Sequence, residues 1–175
     1  LYVQNKQDKE AFEIYLKIKQ LHPEDPYINI SLMEYYQKQG DLDKAFEEFI
    51  LSIKNKNLDY NTKAQIYEYW FGEKSGENES VVKEAKLAGE AFIEAHPDKE
   101  LGYYVIGTVY FNDDIFDKAQ EYYLEAIERD SSNFISWYQL VFADIELNNS
   151  KNLYEHSSAA MRFYPEQPIF YLFNG

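Results

Sequence analysis

The stretch "GTVYFNDDIFDKAQEYYLEAIERD" (residues 107–130) sets small and bulky side chains at regular intervals. Ala119, Tyr123 and Ala126 are separated by four and then three residues. That spacing places them on one face of a helix, because side chains three and four apart lie above one another on an α-helical surface. The alternation of alanine with tyrosine along that face needs a second explanation, and it comes from the rest of the chain.

Slid along itself, the sequence repeats. Ala11 and Ala45, Ala85 and Ala119, and Ala119 and Leu153 are each 34 residues apart. Tyr15 pairs with Phe49 and Gly89 with Tyr123 at the same distance, as do Tyr2, Tyr36 and Trp70 in succession. Pro23 and Asn57, then Pro97, Ser131 and Pro165, follow the same ruler. One step deviates: Ala45 to Ala85 is 40 residues, which is 34 plus an insertion of six.

A fixed period of this length marks an array in which each repeat buries its apolar face against its neighbours. Two helices and two turns fill such a repeat. Helix A is read, for example, over "YINISLMEYYQKQG" (27–40) and helix B over "DLDKAFEEFILSIKNK" (41–56), with apolar residues recurring at three and four spacing in each. Gly40, the Asn112 to Asp114 cluster and Asn148-Asn149 supply the A-to-B turns, and Pro23, Pro97 and Pro165 stop helix B.

These residues make the chain similar to the tetratricopeptide repeat (TPR) family, whose motif carries W/Y, L, G, Y, then A, F, A and P at fixed positions. In repeat 100–133 those positions hold Tyr103, Ile106, Gly107, Tyr110, Ala119, Tyr123, Ala126 and Ser131. In repeat 26–59 they hold Asn29, Leu32, Met33, Tyr36, Ala45, Phe49, Ser52 and Asn57. In repeat 134–167 they hold Trp137, Leu140, Val141, Asp144, Leu153, Ser157, Ala160 and Pro165.

The resemblance implies an all-α superhelix, a TPR solenoid of about five helix-turn-helix repeats forming a single array over 1–175. Its parts are a partial repeat 1–25, repeats 26–59, 60–99 (with the insertion), 100–133 and 134–167, and the start of another at 168–175. Leu1 and Tyr2 are read as the end of a helix A, and both ends as cuts through a repeat of a longer protein. Small residues are expected where helix axes approach closely and aromatics in the gaps beside them. Gly107 with Ala119 is the expected crossing pair, and Ala126 is expected to face the next helix A. In repeat 60–99 the polar stretch "FGEKSGENESVV" (71–82) carries the insertion, and two registers of helix B compete. Aligning Pro97 with Pro23 puts Ala85, Gly89 and Phe92 at the motif positions; aligning by side-chain type prefers Ala88, Phe92 and Ala95. The proline register is preferred because His-Pro recurs at 22–23 and 96–97. It makes Tyr67 stand where helix A has glycine and Gly89 where helix B has an aromatic, an exchange of volume expected to keep the core filled.

Composition narrows the function. The chain of 175 residues is 45% hydrophobic and 18% aromatic, ample for a core, and its formal charge of -14 repels nucleic acid and anionic membrane surfaces. The absence of cysteine removes disulfides and thiolate chemistry. The longest nearly uncharged apolar stretch, "FISWYQLVFA" (134–143), is half the length of a membrane span, and residue 1 opens into helix-like sequence without a signal peptide. Localisation is left open, with any targeting segment expected outside this fragment.

No residue pattern argues for catalysis, a metal or a cofactor. His22 and His96 precede the helix-ending prolines at equivalent places, and His156 stands alone on a helix B. Asp41, Asp43, Asp113, Asp114 and Asp117 lie at helix B starts, where carboxylates cap free backbone N–H groups. Asn29, Asn78 and Asn149 begin or adjoin N-x-S patterns of no special weight. No nucleotide fingerprint, nucleophile elbow or paired-carboxylate motif is present, so an enzyme is not expected.

What remains is surface. The resemblance implies that the second, fifth, sixth, ninth, twelfth and thirteenth positions of each repeat line a concave groove. In the first half these include Tyr27, Ile30 and Glu34, then Glu68 and Phe71. In repeat 100–133 they are Leu101, Tyr104, Val105, Thr108 and Phe111, and in repeat 134–167 Ile135, Tyr138, Gln139, Phe142 and Ile145. Such an apolar and aromatic patch marks a contact surface. A well-known TPR variant grips a C-terminal carboxylate with Lys, Arg and Asn at the fifth and ninth positions. Here Ile30, Glu34, Ala64, Glu68, Tyr104 and Thr108 stand there, so that clamp is absent. The expected function is a non-enzymatic scaffold for protein–protein interaction, taking an apolar or cationic peptide with Tyr104, Tyr138 and Phe142 as anchors. The alternatives are a self-association segment of a larger protein and a regulatory appendage of an enzyme encoded outside this fragment.

Overall fold

The computed structural model describes residues 2–72 and 78–174. Every regular element among them is an α-helix. The chain divides into two compact units, Leu1–Lys74 and Ser75–Gly175. The division falls inside repeat 60–99, so its helix A belongs to the first unit and its helix B to the second. Residues 73–77, the centre of the expected insertion, lie outside the described residues.

The first unit holds α1 (Tyr2–Leu21), α2 (Ile28–Gln39), α3 (Leu42–Lys54) and α4 (Tyr60–Phe71). Its core is built from Leu32, Met33, Ala45, Phe49, Ile53 and Trp70, each 3% exposed or less. Trp70 stacks on Phe49 with ring centroids 5.4 Å apart and leans on Phe46 at 5.6 Å. Across α1 and α2, Phe12 stacks on Tyr35 at 4.3 Å. One expectation fails here: Tyr2 does not end a separate helix A, because α1 runs unbroken from Tyr2 to Leu21. The segment 3–10 contains no glycine or proline and is rich in glutamine and lysine, which favour helix, so nothing forces a turn.

The second unit holds α5 (Glu79–Ala95), α6 (Leu101–Asn112), α7 (Phe116–Arg129), α8 (Phe134–Glu146), α9 (Ser150–Phe163) and the short α10 (Pro168–Leu172). Ala119, Tyr123, Trp137, Leu140, Val141, Ala160 and Phe170 pack into one cluster. In repeats 26–59 and 100–133 the helix B motif positions are sealed: Ala45, Phe49 and Ser52 in α3, and Ala119, Tyr123 and Ala126 in α7, all have 0% exposure, whereas Ala85 in α5 and Leu153 in α9 are half-buried.

The 34-residue ruler is visible in the backbone. In repeats 26–59, 100–133 and 134–167 the A-to-B turn is made by one residue with positive φ: Gly40 (78°), Asp114 (58°) and Asn148 (51°), the last two 34 apart. The residue after each donates its N–H back to the carbonyl five positions earlier. These bonds are Asp41 to Tyr36 at 3.0 Å, Ile115 to Tyr110 at 2.9 Å and Asn149 to Asp144 at 3.1 Å. This six-to-one bond closes a helix whose end turns through the left-handed region. Asparagine and aspartate tolerate that region better than other non-glycine residues, which is why the turn survives without glycine.

A side-chain bond repeats as well. Tyr103 Oη donates to Pro97 O at 3.2 Å, Trp137 Nε1 to Ser131 O at 3.0 Å and Tyr171 Oη to Pro165 O at 3.0 Å. Each ties the fourth residue of a repeat to a carbonyl six residues back. α1, α5 and α9 end at Leu21, Ala95 and Phe163, just before Pro23, Pro97 and Pro165, as expected.

The capping expectation is partly corrected. Asp41 does cap α3, accepting from Lys44 N at 3.3 Å. Asp113 and Asp114 do not cap α7. Asp113 closes α6, Asp114 occupies the left-handed turn, and the residue at the α7 N-terminus is Ile115, with no side-chain cap. Asp59, Asn78, Asn133 and Asn149 are the further caps, accepting from Thr62, Ser80, Ser136 and Asn152.

The close approaches also differ in their partners. A Cβ added at Gly107 would lie 2.8 Å from Cδ1 and Cε1 of Tyr123, so the residue for which Gly107 makes room is Tyr123 and not Ala119. At Gly89 an added Cβ would lie 2.9 Å from Ile106 Cδ1, so Ile106 of α6 fills the space that an aromatic would take in α5. Gly102 brings α5 and α6 backbone to backbone, since its Cβ would lie 2.9 Å from Gly89 O and Ile93 N.

Candidate functional site

In the first unit the expected groove residues fall at α2 and α4. Tyr27 stands at the α2 N-terminus, 59% exposed and without a capping bond of its own. Asp25 does that work, its Oδ1 accepting from Tyr27 N at 2.8 Å and Ile28 N at 3.1 Å. Ile30 is half-buried and Glu34 exposed one turn on. Glu34 lines a recess of about 180 Å³ with Ala11 and Tyr15 of α1 and Ser31, Tyr35 and Lys38 of α2. Glu68 is exposed on α4, while Phe71 is half-buried, edge-on to Phe49 at 5.9 Å and tilted against Tyr67 at 4.7 Å.

In the second unit Leu101, Tyr104, Thr108 and Phe111 succeed one another along one stripe of α6, all half-buried. Tyr104 leans on the sealed ring of Tyr123 at 6.1 Å, and Phe111 meets Phe116 edge-on at 5.2 Å. Thr108 is fixed at both ends of its hydroxyl, donating to Tyr104 O at 3.0 Å and accepting a long bond from Tyr123 Oη at 3.4 Å. Burial holds the Tyr123 hydroxyl well above the usual phenol range. Val105, at the sixth position of its repeat, is 2% exposed and belongs to the core.

On α8 the rings form a ladder. Tyr138 lies 6.0 Å from Phe134 and 4.7 Å from Phe142, and Phe142 meets Phe173 edge-on at 6.0 Å. Tyr138 and Phe142 are half-buried, and Ile135 is 52% exposed one turn before Tyr138. Of the three expected anchors, Tyr138 and Phe142 touch each other and Tyr104 packs separately on α6 against Tyr123. Ile145 packs partly buried against the core cluster.

Two buried polar groupings have no counterpart in the sequence reading. Glu48, 8% exposed, accepts from Lys19 Nζ at 2.5 and 2.7 Å and from Asn29 Nδ2 at 2.7 Å, linking α1, α2 and α3. Asp144, with 0% exposure, accepts from Gln120 Nε2 and pairs with His156 Nδ1 at 2.7 Å. His156 is therefore not alone: it joins α9 to α8, and Gln120 joins α7. The available signal was at position 144, where the other repeats carry Tyr36, Trp70 and Tyr110. An aspartate in an aromatic column needs polar partners when buried.

Among the described residues, no group of three or more His, Asp or Glu side chains is arranged to hold a metal ion, and no helix is long and apolar enough to cross a membrane. What the arrangement offers is contact area, namely aromatic rings packed against the core and left half-buried at the surface.

The architecture has solved counterparts. The chain is similar in fold to MamA (residues 41 to the end) from Desulfovibrio magneticus RS-1, with a TM-score of 0.54 and 19% identity over 94% of this chain and 90% of that one. A structure described as the MamA RS-1 ArsTM double mutant gives a TM-score of 0.55 and 19% identity over 94% and 89%. At that identity the likeness is one of fold, a helical repeat array. No protein-family model matches the sequence, and no curated protein matches it significantly.

Proposed function

We propose that this chain is a non-enzymatic TPR-type scaffold that binds a partner polypeptide on the exposed faces of its A helices. The observation that carries the reading is the ring ladder on α8: Tyr138 is held within 6.0 Å of Phe134 and 4.7 Å of Phe142. Rings already fixed by their neighbours lose little freedom on binding, and aromatic side chains are the favoured anchors of interfaces. Glu34, Glu68 and the formal charge of -14 favour an apolar or cationic segment over an acidic one. Selection from a displayed peptide library tests this. Enrichment of basic peptides with apolar anchors is the expected result, and no enrichment over an unrelated helical protein rejects it.

A second reading, self-association, is favoured by α1, where Ile14 is 55% and Leu21 72% exposed seven residues apart on one face. Light scattering over a range of concentrations separates the two. Mass that rises with concentration supports self-association, and a constant monomer mass supports recognition of a different chain.

A further inference from the structure

Beside the α6 stripe that carries Tyr104 and Thr108 runs a second one, formed by Tyr103 and Tyr110, which faces α7. Tyr110 lies 5.5 Å from Tyr122. This aromatic surface already holds cations of the chain itself. The Arg129 guanidinium sits 3.6 Å over the Tyr103 ring, and Lys118 and Lys86 stand 5.0 and 6.0 Å from the centre of the Tyr110 ring. Three intramolecular examples on two rings show that these faces are presented at the distance and orientation a cation takes over an aromatic ring.

One part of the surface is open. A recess of about 420 Å³ lies among Tyr103, Tyr122, Glu121 and Glu125. Glu125 is engaged, its carboxylate bound by Arg129 Nη1 at 2.6 Å. Glu121, one turn earlier on α7, is exposed and has no cation within ion-pair distance among the described residues. The Tyr122 hydroxyl is held above its ordinary range, first by burial and then by Tyr110, Glu90, Glu121 and Tyr103, so the ring stays neutral beside these carboxylates. An anion would meet the Glu121 carboxylate beside a Glu125 whose charge Arg129 already balances. A purely apolar group would have to desolvate Glu121 without returning a partner to it.

We propose that this recess receives one cationic side chain, lysine or arginine, from a partner segment, its head group beside Glu121 and its stem against the rings of Tyr103 and Tyr122. The site is separate from the anchors of the A-helix face: it uses neither Tyr104, Tyr138 nor Phe142, and it takes a single charged head group.

The test is an NMR titration of the whole chain with N-acetyl-arginine methylamide and, in parallel, with its neutral isostere N-acetyl-citrulline methylamide. Saturable shifts at Tyr103, Glu121 and Tyr122 are expected with arginine and not with citrulline. Glu121→Gln, an exposed and structurally mild change, is expected to weaken arginine binding roughly fivefold, as loss of one close charge partner beside a cation–π contact implies. Tyr122→Leu is expected to do the same with helicity unchanged by circular dichroism. Alanine at Tyr104, Tyr138 and Phe142 is expected to leave this titration unaltered, so failure of the A-helix reading and failure of this one are told apart. Equal shifts with arginine and citrulline, no saturable shift at these residues, or unchanged affinity in Glu121→Gln overturns the proposal.

Discussion

Gly107 on α6 lies directly against the ring of Tyr123 on α7, so close that a Cβ at Gly107 would stand 2.8 Å from two ring carbons. The relationship accounts for the alternation of small and bulky residues. Tyr123 is wholly buried, and it fits only because the facing position has no side chain. Gly107→Ala should overpack this seam and cost about 1–3 kcal/mol, read as a lower urea midpoint with unchanged slope. Gly40→Ala is the contrasting case. Nothing lies within 4 Å of its Cβ position, yet φ is +78°. Its cost of about 1 kcal/mol should come from backbone strain alone.

Tyr123 also makes stability depend on alkaline pH. Its folded pKa is raised by burial, so above a pH of about 10 the unfolded chain releases a proton that the folded chain keeps. The stabilising contribution is full below that pH and is lost as pH rises further. Unfolding free energy measured at pH 9 and pH 11 should therefore fall, and fall less in Tyr123→Phe. At neutral pH the same variant should lose under about 1 kcal/mol, because the 3.4 Å bond to Thr108 is long.

Asp144 should be the most sensitive polar position of the second unit. Asp144→Ala strands Gln120 and His156, the latter with a side chain only 18% exposed, and should cost about 1–3 kcal/mol. A double-mutant cycle with His156→Leu should show the two losses to be less than additive, since both delete the same 2.7 Å contact. Additive losses measured by urea unfolding would mean the pair does not act as one.

Glu48 should behave likewise in the first unit. Glu48→Leu removes a nearly buried carboxylate that engages both Lys19 and Asn29. It leaves the Asn29 amide, on a residue 5% exposed, without its partner, so a loss of about 1–3 kcal/mol in thermal unfolding is expected. Adding Asn29→Leu should recover part of that loss by replacing both partners with apolar groups.

The repeat length, the helix boundaries at Pro23, Pro97 and Pro165, and the turns at Gly40, Asn112–Asp114 and Asn148-Asn149 were all legible, because each rests on local backbone chemistry. The identity of contacting pairs was not. The repeat columns pair Gly107 with Ala119, but a long ring reaches across the seam where a methyl does not, and Tyr123 takes the space. Likewise Ile106 fills the gap at Gly89, since volume in a packed core is shared among neighbours on several helices. The Asp144, Gln120 and His156 grouping joins three helices whose relevant residues lie 12 and 24 positions from Asp144, beyond any local pattern. For Tyr2 the period alone points to a helix end, and a run of good helix formers carries α1 through the place where the repeat has a turn.

The most direct measurement is calorimetric titration of the best displayed peptide into the wild-type chain and into Tyr104→Ala, Tyr138→Ala, Phe142→Ala combined. With helicity preserved, loss of three ring anchors should weaken binding at least about tenfold, since anchor residues each cost more than about 1 kcal/mol on truncation. Unchanged affinity in the folded triple variant would contradict recognition through the A helices.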